Sequence, residues 1–112
     1  MMSQDTPQVV DLTSSTFMLD GPDRVLDLVG EGTRSAILFD TQLDPLFFDL
    51  SSGTAGEVVQ KAANYGLRVA VVRSTDTEHS LHFQQFAEES TRLGQFVFVD
   101  SLGEARRILE SH

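Results

Sequence analysis

Apolar residues in this chain alternate between short continuous runs and stretches where they recur every three or four positions. Ala36-Ile37-Leu38-Phe39, Leu67 to Val72 and Phe96 to Val99 are the continuous runs, the pattern of strands buried on both faces of a parallel sheet. Gln8 to Leu12 and Ser15 to Leu19 favour β structure and are split by Thr13-Ser14, which predicts a hairpin or a bulged strand. Helical spacing fills the gaps between the runs. Asp20 and Pro22 start a helix over about residues 21–30 with Val25, Leu26 and Val29 on one face, stopped by Gly30 and Gly32. Ala55, Val58, Val59, Ala62 and Ala63 mark a second helix ending at Tyr65-Gly66. Phe83, Phe86, Ala87, Ser90 and Leu93 mark a third over about 79–93, and Leu102, Ala105, Ile108 and Leu109 a fourth, capped by Asp100 or Ser101.

The predicted order is ββαβαβαβα, and strands alternating with helices imply right-handed crossovers and a mostly parallel sheet, an α/β fold. At 112 residues, without a linker or repeat, the chain 1–112 reads as a single domain with a frayed polar terminus at 1–7.

Composition removes several classes of function. Seventeen acidic against eight basic residues give a formal net charge of −9, which repels phosphate backbones and anionic lipid, so no nucleic acid and no membrane surface is expected as a partner. There is no cysteine, which excludes disulfides and thiol chemistry. No apolar run is long enough to span a bilayer and the start lacks signal-peptide features, so the expected location is cytoplasmic.

Candidate chemistry concentrates at the junction Asp49-Leu50-Ser51-Ser52-Gly53-Thr54-Ala55-Gly56-Glu57. A serine at a helix N-terminus suits a phosphate, because exposed amides and the helix dipole stabilise negative charge, while Asp49 and Glu57 oppose it. Ser51 or Ser52 serves equally well as an ordinary N-cap, and the two readings stay open. The junction has neither a Walker ending nor a dinucleotide fingerprint. Glu57, Lys61 and Tyr65 recur every four residues, with Glu57 and Lys61 oriented for an ion pair along a solvated helix face. Glu78, His79 and His82 form the histidine cluster but lack a third firm ligand, so no metal is assigned. Phe47-Phe48 is expected to divide between core and rim. No residue is assigned a catalytic role and no cofactor is expected.

The segments Asp23-Arg24-Val25-Leu26-Asp27-Leu28, Phe47-Phe48-Asp49-Leu50, Gly53-Thr54-Ala55-Gly56-Glu57-Val58-Val59-Gln60-Lys61, Asn64-Tyr65 and Phe86-Ala87-Glu88-Glu89-Ser90 resemble the bacterial domain of unknown function family 4180 over roughly residues 15 to 110. That family implies no activity. More distantly, the element order and the turn entering the second helix are similar to the STAS fold of anti-sigma-factor antagonists, whose Asp-Ser-Ser-Gly turn is phosphorylated on its second serine. The matching position here is Ser52, with Leu50 intervening between Asp49 and the serine pair.

The leading expectation is therefore a non-enzymatic regulatory module of STAS-like type. It would act by binding a protein of kinase or sigma-regulator class through Asp49, Ser51, Ser52, Gly53 and Glu57, with self-association as a homo-oligomer open. The alternative is a small-molecule binding protein or minor enzyme with a site at the carboxyl ends of the central strands, lined by Asp40, Asp49, Glu57, Arg73, Asp100 and Ser101.

Overall fold

Side chains on successive strand positions point to opposite faces, so each continuous apolar run feeds two separate cores. The computed structural model describes residues 9–74 and 79–110. Among these, β1 (Val9–Asp11), β2 (Ser35–Phe39), β3 (Arg68–Val72) and β4 (Phe96–Val99) form one sheet in the order β1-β2-β3-β4, with every pair parallel. The connections are α1 (Asp23–Gly30), α2 (Thr54–Asn64) and α3 (Leu81–Leu93), and α4 (Leu102–Glu110) follows β4. Ala36, Leu38, Val69, Val71, Phe96 and Phe98 pack against the apolar faces of α1, α2 and α3. Ile37, Ala70, Val72, Val97 and Val99 pack against Ala105 and Leu109 of α4, which lies across all four strands. The result is a three-layer α/β domain.

One expected strand is absent. Ser15 to Leu19 does not join the sheet, and only Leu19 makes an isolated parallel bridge, to Leu43. The reason lies in its polar neighbours. Asp11 Oδ1 accepts from the Thr13 amide at 2.9 Å, and Ser15 turns back on the Leu12 carbonyl, local bonds that compete with a ladder. The buried Gln42 amide then donates to the Leu12 and Phe17 carbonyls at 2.8 and 3.0 Å, replacing strand partners with one side chain. The order among the described residues is therefore βαβαβαβα.

Helix starts also differ in detail. Asp20 does not cap α1; its carboxylate pairs with Arg24 Nε at 3.1 Å, and the N-cap position is Pro22. Ser80 accepts from the Phe83 amide at 3.1 Å, so α3 begins at Leu81. Ser101 takes the equivalent role before α4, accepting from Glu104 N at 3.1 Å.

Register places the site. Phe39 is level with Val72, and Val72 with Val99. The three strands thus end together, and their next residues, Asp40, Arg73 and Asp100, leave the sheet at a common edge.

Candidate functional site

Asp40 is the first residue beyond β2 and opens a 3₁₀ turn over Asp40–Gln42. That turn is held by Gln42, whose side-chain Oε1 accepts from the Phe39 amide at 2.8 Å. Because the strand before it is buried and the turn folds over the sheet edge, the Asp40 side chain is only 2 % exposed. Its Oδ2 accepts from the Ser74 amide at 2.9 Å, tying the end of β2 to the chain leaving β3. Its Oδ1 is buried and has no hydrogen-bond partner among the described residues. A buried carboxylate oxygen left unpaired costs on the order of 1–3 kcal/mol or more, so such atoms are rare and call for an explanation.

Asp40 lines a pocket of about 400 Å³ together with Arg73, His79, Phe83, Gln84, Ala87, Glu88 and Phe98. The His79 ring reaches it from just before α3, with Nε2 3.8 Å from Asp40 Oδ2. That distance lies beyond hydrogen bonding. Stacking fixes the ring: it lies on Phe48 at 4.4 Å between centroids and 8° between planes, and Phe83 leans on it at 5.0 Å. Gln84 Nε2 donates to the His79 carbonyl at 2.9 Å and holds the backbone. On the opposite side Arg73 is engaged by Asp100, whose Oδ1 accepts from Nε at 3.2 Å and from Nη2 at 3.0 Å. Phe83, Ala87 and Phe98 supply an apolar wall, with the two phenyl rings edge to face at 5.7 Å.

The serine junction is a second, separate feature. Two 3₁₀ turns, Pro45–Phe48 and Leu50–Ser52, lead into α2. Asp49 caps the second of them: Oδ1 accepts from the Ser51 amide at 3.1 Å and from the Ser51 hydroxyl at 2.6 Å. The Ser52 hydroxyl lies within donating distance of the Leu46 and Asp49 carbonyls, 2.8 and 2.7 Å, and its oxygen accepts from the Thr54 amide at 3.2 Å. Gly53 follows at φ 81°, the left-handed conformation that lets the chain turn from the 3₁₀ segment into the helix. Phe47 and Phe48 belong to the same turn and divide as expected. Phe47 is fully buried against Phe83 and Phe96, whereas Phe48 is half-buried at the pocket through His79.

Of the residues expected at the strand ends, Asp40 and Arg73 line the pocket, Asp100 is joined to it through Arg73, and Ser101 is occupied in capping α4. Asp49 and Glu57 do not line it. Glu57 borders a shallow open groove with Gly53, Gly56 and Lys61, and no ion pair joins Glu57 to Lys61 among the described residues. His79 turns inward while His82 is exposed; Glu78 lies outside the described residues. No group of three or more potential metal ligands occurs among the described residues. The contributions of His79, Gln84 and Glu88 to the pocket escape sequence reasoning, although helical spacing from Gln84 to Glu88 already places those two on one side of a helix.

The fold and site define a parallel three-layer α/β domain with a pocket at the carboxyl edge of its sheet. The chain matches the family described as a domain of unknown function, DUF4180, over residues 4–109, and belongs to that family. Comparison with curated proteins and with solved structures gave no match. No helix among the described residues is long and apolar enough to cross a membrane.

Proposed function

We propose that this domain is a cytoplasmic small-molecule binding module, with its site in the pocket at the carboxyl ends of β2, β3 and β4. The observation that carries the reading is Asp40, a nearly fully buried carboxylate on the pocket wall whose Oδ1 lacks a partner among the described residues. A fold keeps an unpaired buried carboxylate oxygen at a cost, and a bound molecule that supplies the missing donor offsets it. Location and size support the same reading. Open parallel sheets bind ligands beyond the carboxyl ends of their strands, and about 400 Å³ lies within the range of ligand sites, roughly 300–1,000 Å³.

Titration of isotope-labelled protein with a chemically diverse fragment set tests this. Fragments should shift the amides of Arg73, Gln84, Ala87 and Glu88, and Ala87→Leu, which extends a side chain into the pocket, should weaken those shifts. Glu88→Arg, at an exposed position on the rim, provides a second blocking variant that spares the core. A folded protein in which no fragment moves these signals would overturn the reading.

A second reading is favoured by the Ser52 geometry: a regulatory protein-interaction module of STAS-like type, switched by phosphorylation. A phosphoserine ester oxygen has no proton, so it could not donate to the Leu46 or Asp49 carbonyls. The turn bearing Phe48 would loosen and change the surface offered to a protein partner. Intact-mass measurement of native protein, with pull-downs of wild type, Ser52→Ala and Ser52→Asp, tests it. Absence of phosphate together with identical partners for all three would remove this reading.

A further inference from the structure

We propose that the ligand is a small organic cation, a primary ammonium on an aryl or alkyl body, with the ammonium directed to Asp40 and the body against Phe83, Ala87 and Phe98. This rests on the pocket reading above and adds the chemical class. Charge decides it first. Among the described residues two acidic side chains, Asp40 and Glu88, line the pocket, and the one guanidinium there, Arg73, is already engaged by Asp100 at 3.0 and 3.2 Å. An anionic ligand would meet two repelling carboxylates against one guanidinium already shared with Asp100, whereas an ammonium meets two attracting carboxylates against that same shared guanidinium.

Hydrogen bonding points the same way. A carboxylate only accepts, and Oδ1 lacks the donor that Oδ2 receives from Ser74 N. Asp40 is also recessed, at 2 % exposure, with the fixed His79 ring beside it, Nε2 3.8 Å from Oδ2. A compact ammonium with three rotatable donors reaches such a group more readily than the wide planar fork of a guanidinium. The crossed rings of Phe83 and Phe98 offer apolar contact for the body and aromatic faces for the charge. The net charge of −9 raises the local concentration of cations around the whole domain.

A matched set of probes reads the class: 2-phenylethylamine, 2-phenylethanol and 3-phenylpropionate, each titrated into wild type while the pocket amides are followed. The amine is expected to bind about tenfold more tightly than the alcohol, as a charge-assisted hydrogen bond requires, and the carboxylate to bind most weakly. Asp40→Asn should remove most of the amine's advantage over the alcohol, the remainder being due to Glu88, and leave the alcohol unchanged. Should Asp40→Asn fail to fold, Glu88→Gln, at an exposed position, should still weaken the amine selectively, and added salt should do the same in wild type. Equal or tighter binding of the carboxylate, or amine affinity untouched by both substitutions, overturns the cation class while leaving the pocket reading in place. Silence of all three probes also overturns the class, and the fragment titration then decides separately whether the pocket reading falls with it.

Discussion

Asp11 shows how a single residue can serve a turn and a tertiary contact at once. Its carboxylate accepts from the amide and hydroxyl of Thr13 at 2.9 and 2.5 Å and pairs with Arg106 of α4 at 3.4 Å. The Thr13 bonds, with a smaller contribution from Arg106, hold its pKa below the usual value of 3.8. A carboxylate depressed on folding stabilises the native state above its unfolded pKa and loses that contribution as pH falls through the folded value. Asp11→Asn should therefore destabilise the domain by about 1 kcal/mol at neutral pH. Urea titrations should show the gap to wild type closing as pH is lowered below 3.8. Asp40 and Asp11 are both acidic residues just at or after a strand, yet one is satisfied and the other keeps an unpaired oxygen. No sequence pattern separates them, because the difference arises from which loop folds over each strand end.

At the scale of elements, α3 protects one edge of the sheet, the β4 edge. β4 is one of the two outer strands, and an outer strand presents unpaired backbone groups that invite association. Two consecutive residues late in α3 answer this: the Ser90 hydroxyl donates to the Phe96 carbonyl, and Thr91 Oγ1 accepts from the Phe98 amide at 2.9 Å. Thr91→Val keeps the shape and removes the acceptor, so it should cost roughly 1–3 kcal/mol. Hydrogen exchange should show it as faster exchange at Phe98 against unchanged exchange at Val97. The helical spacing that marks Ser90 as an inward position is legible in the sequence. Its use as an edge cap is not, since it depends on how α3 sits beside a strand that follows it in the chain.

The junction between the Pro45–Phe48 and Leu50–Ser52 turns makes the same point for a loop. Asp49, Ser52 and Gly53 are recognisable as cap and turn residues from their chemistry. That Ser52 reaches back six residues to the Leu46 carbonyl follows from two successive 3₁₀ turns, which the short apolar run Leu46-Phe47-Phe48 does not announce. Ser52→Ala should loosen this turn by about 1 kcal/mol, detectable as faster amide exchange at Phe47 and Asp49 with little change in α4.

Across the whole molecule, the two cores share one sheet, so neither can lose its packing without exposing the other face of the same strands. Far-UV circular dichroism and side-chain signals from Phe83 and Leu109, one in each core, should report a single coincident urea transition. Separate midpoints for the two probes would show that the layer formed by α4 unfolds independently.

The sequence by itself determined the α/β class, the segments of the four strands, the four helices and the family, because β-favouring runs and helical periodicity are local properties written into consecutive residues. It also named Asp40, Arg73 and Asp100 as strand-end residues. Only the tertiary structure decided that Ser15 to Leu19 stays out of the sheet, that Gln42 takes its hydrogen bonds, and that Asp40 meets His79, Phe83 and Glu88 around one pocket. Those contacts join residues 25 or more positions apart, and their geometry comes from strand register and helix packing, neither of which leaves a mark in local spacing.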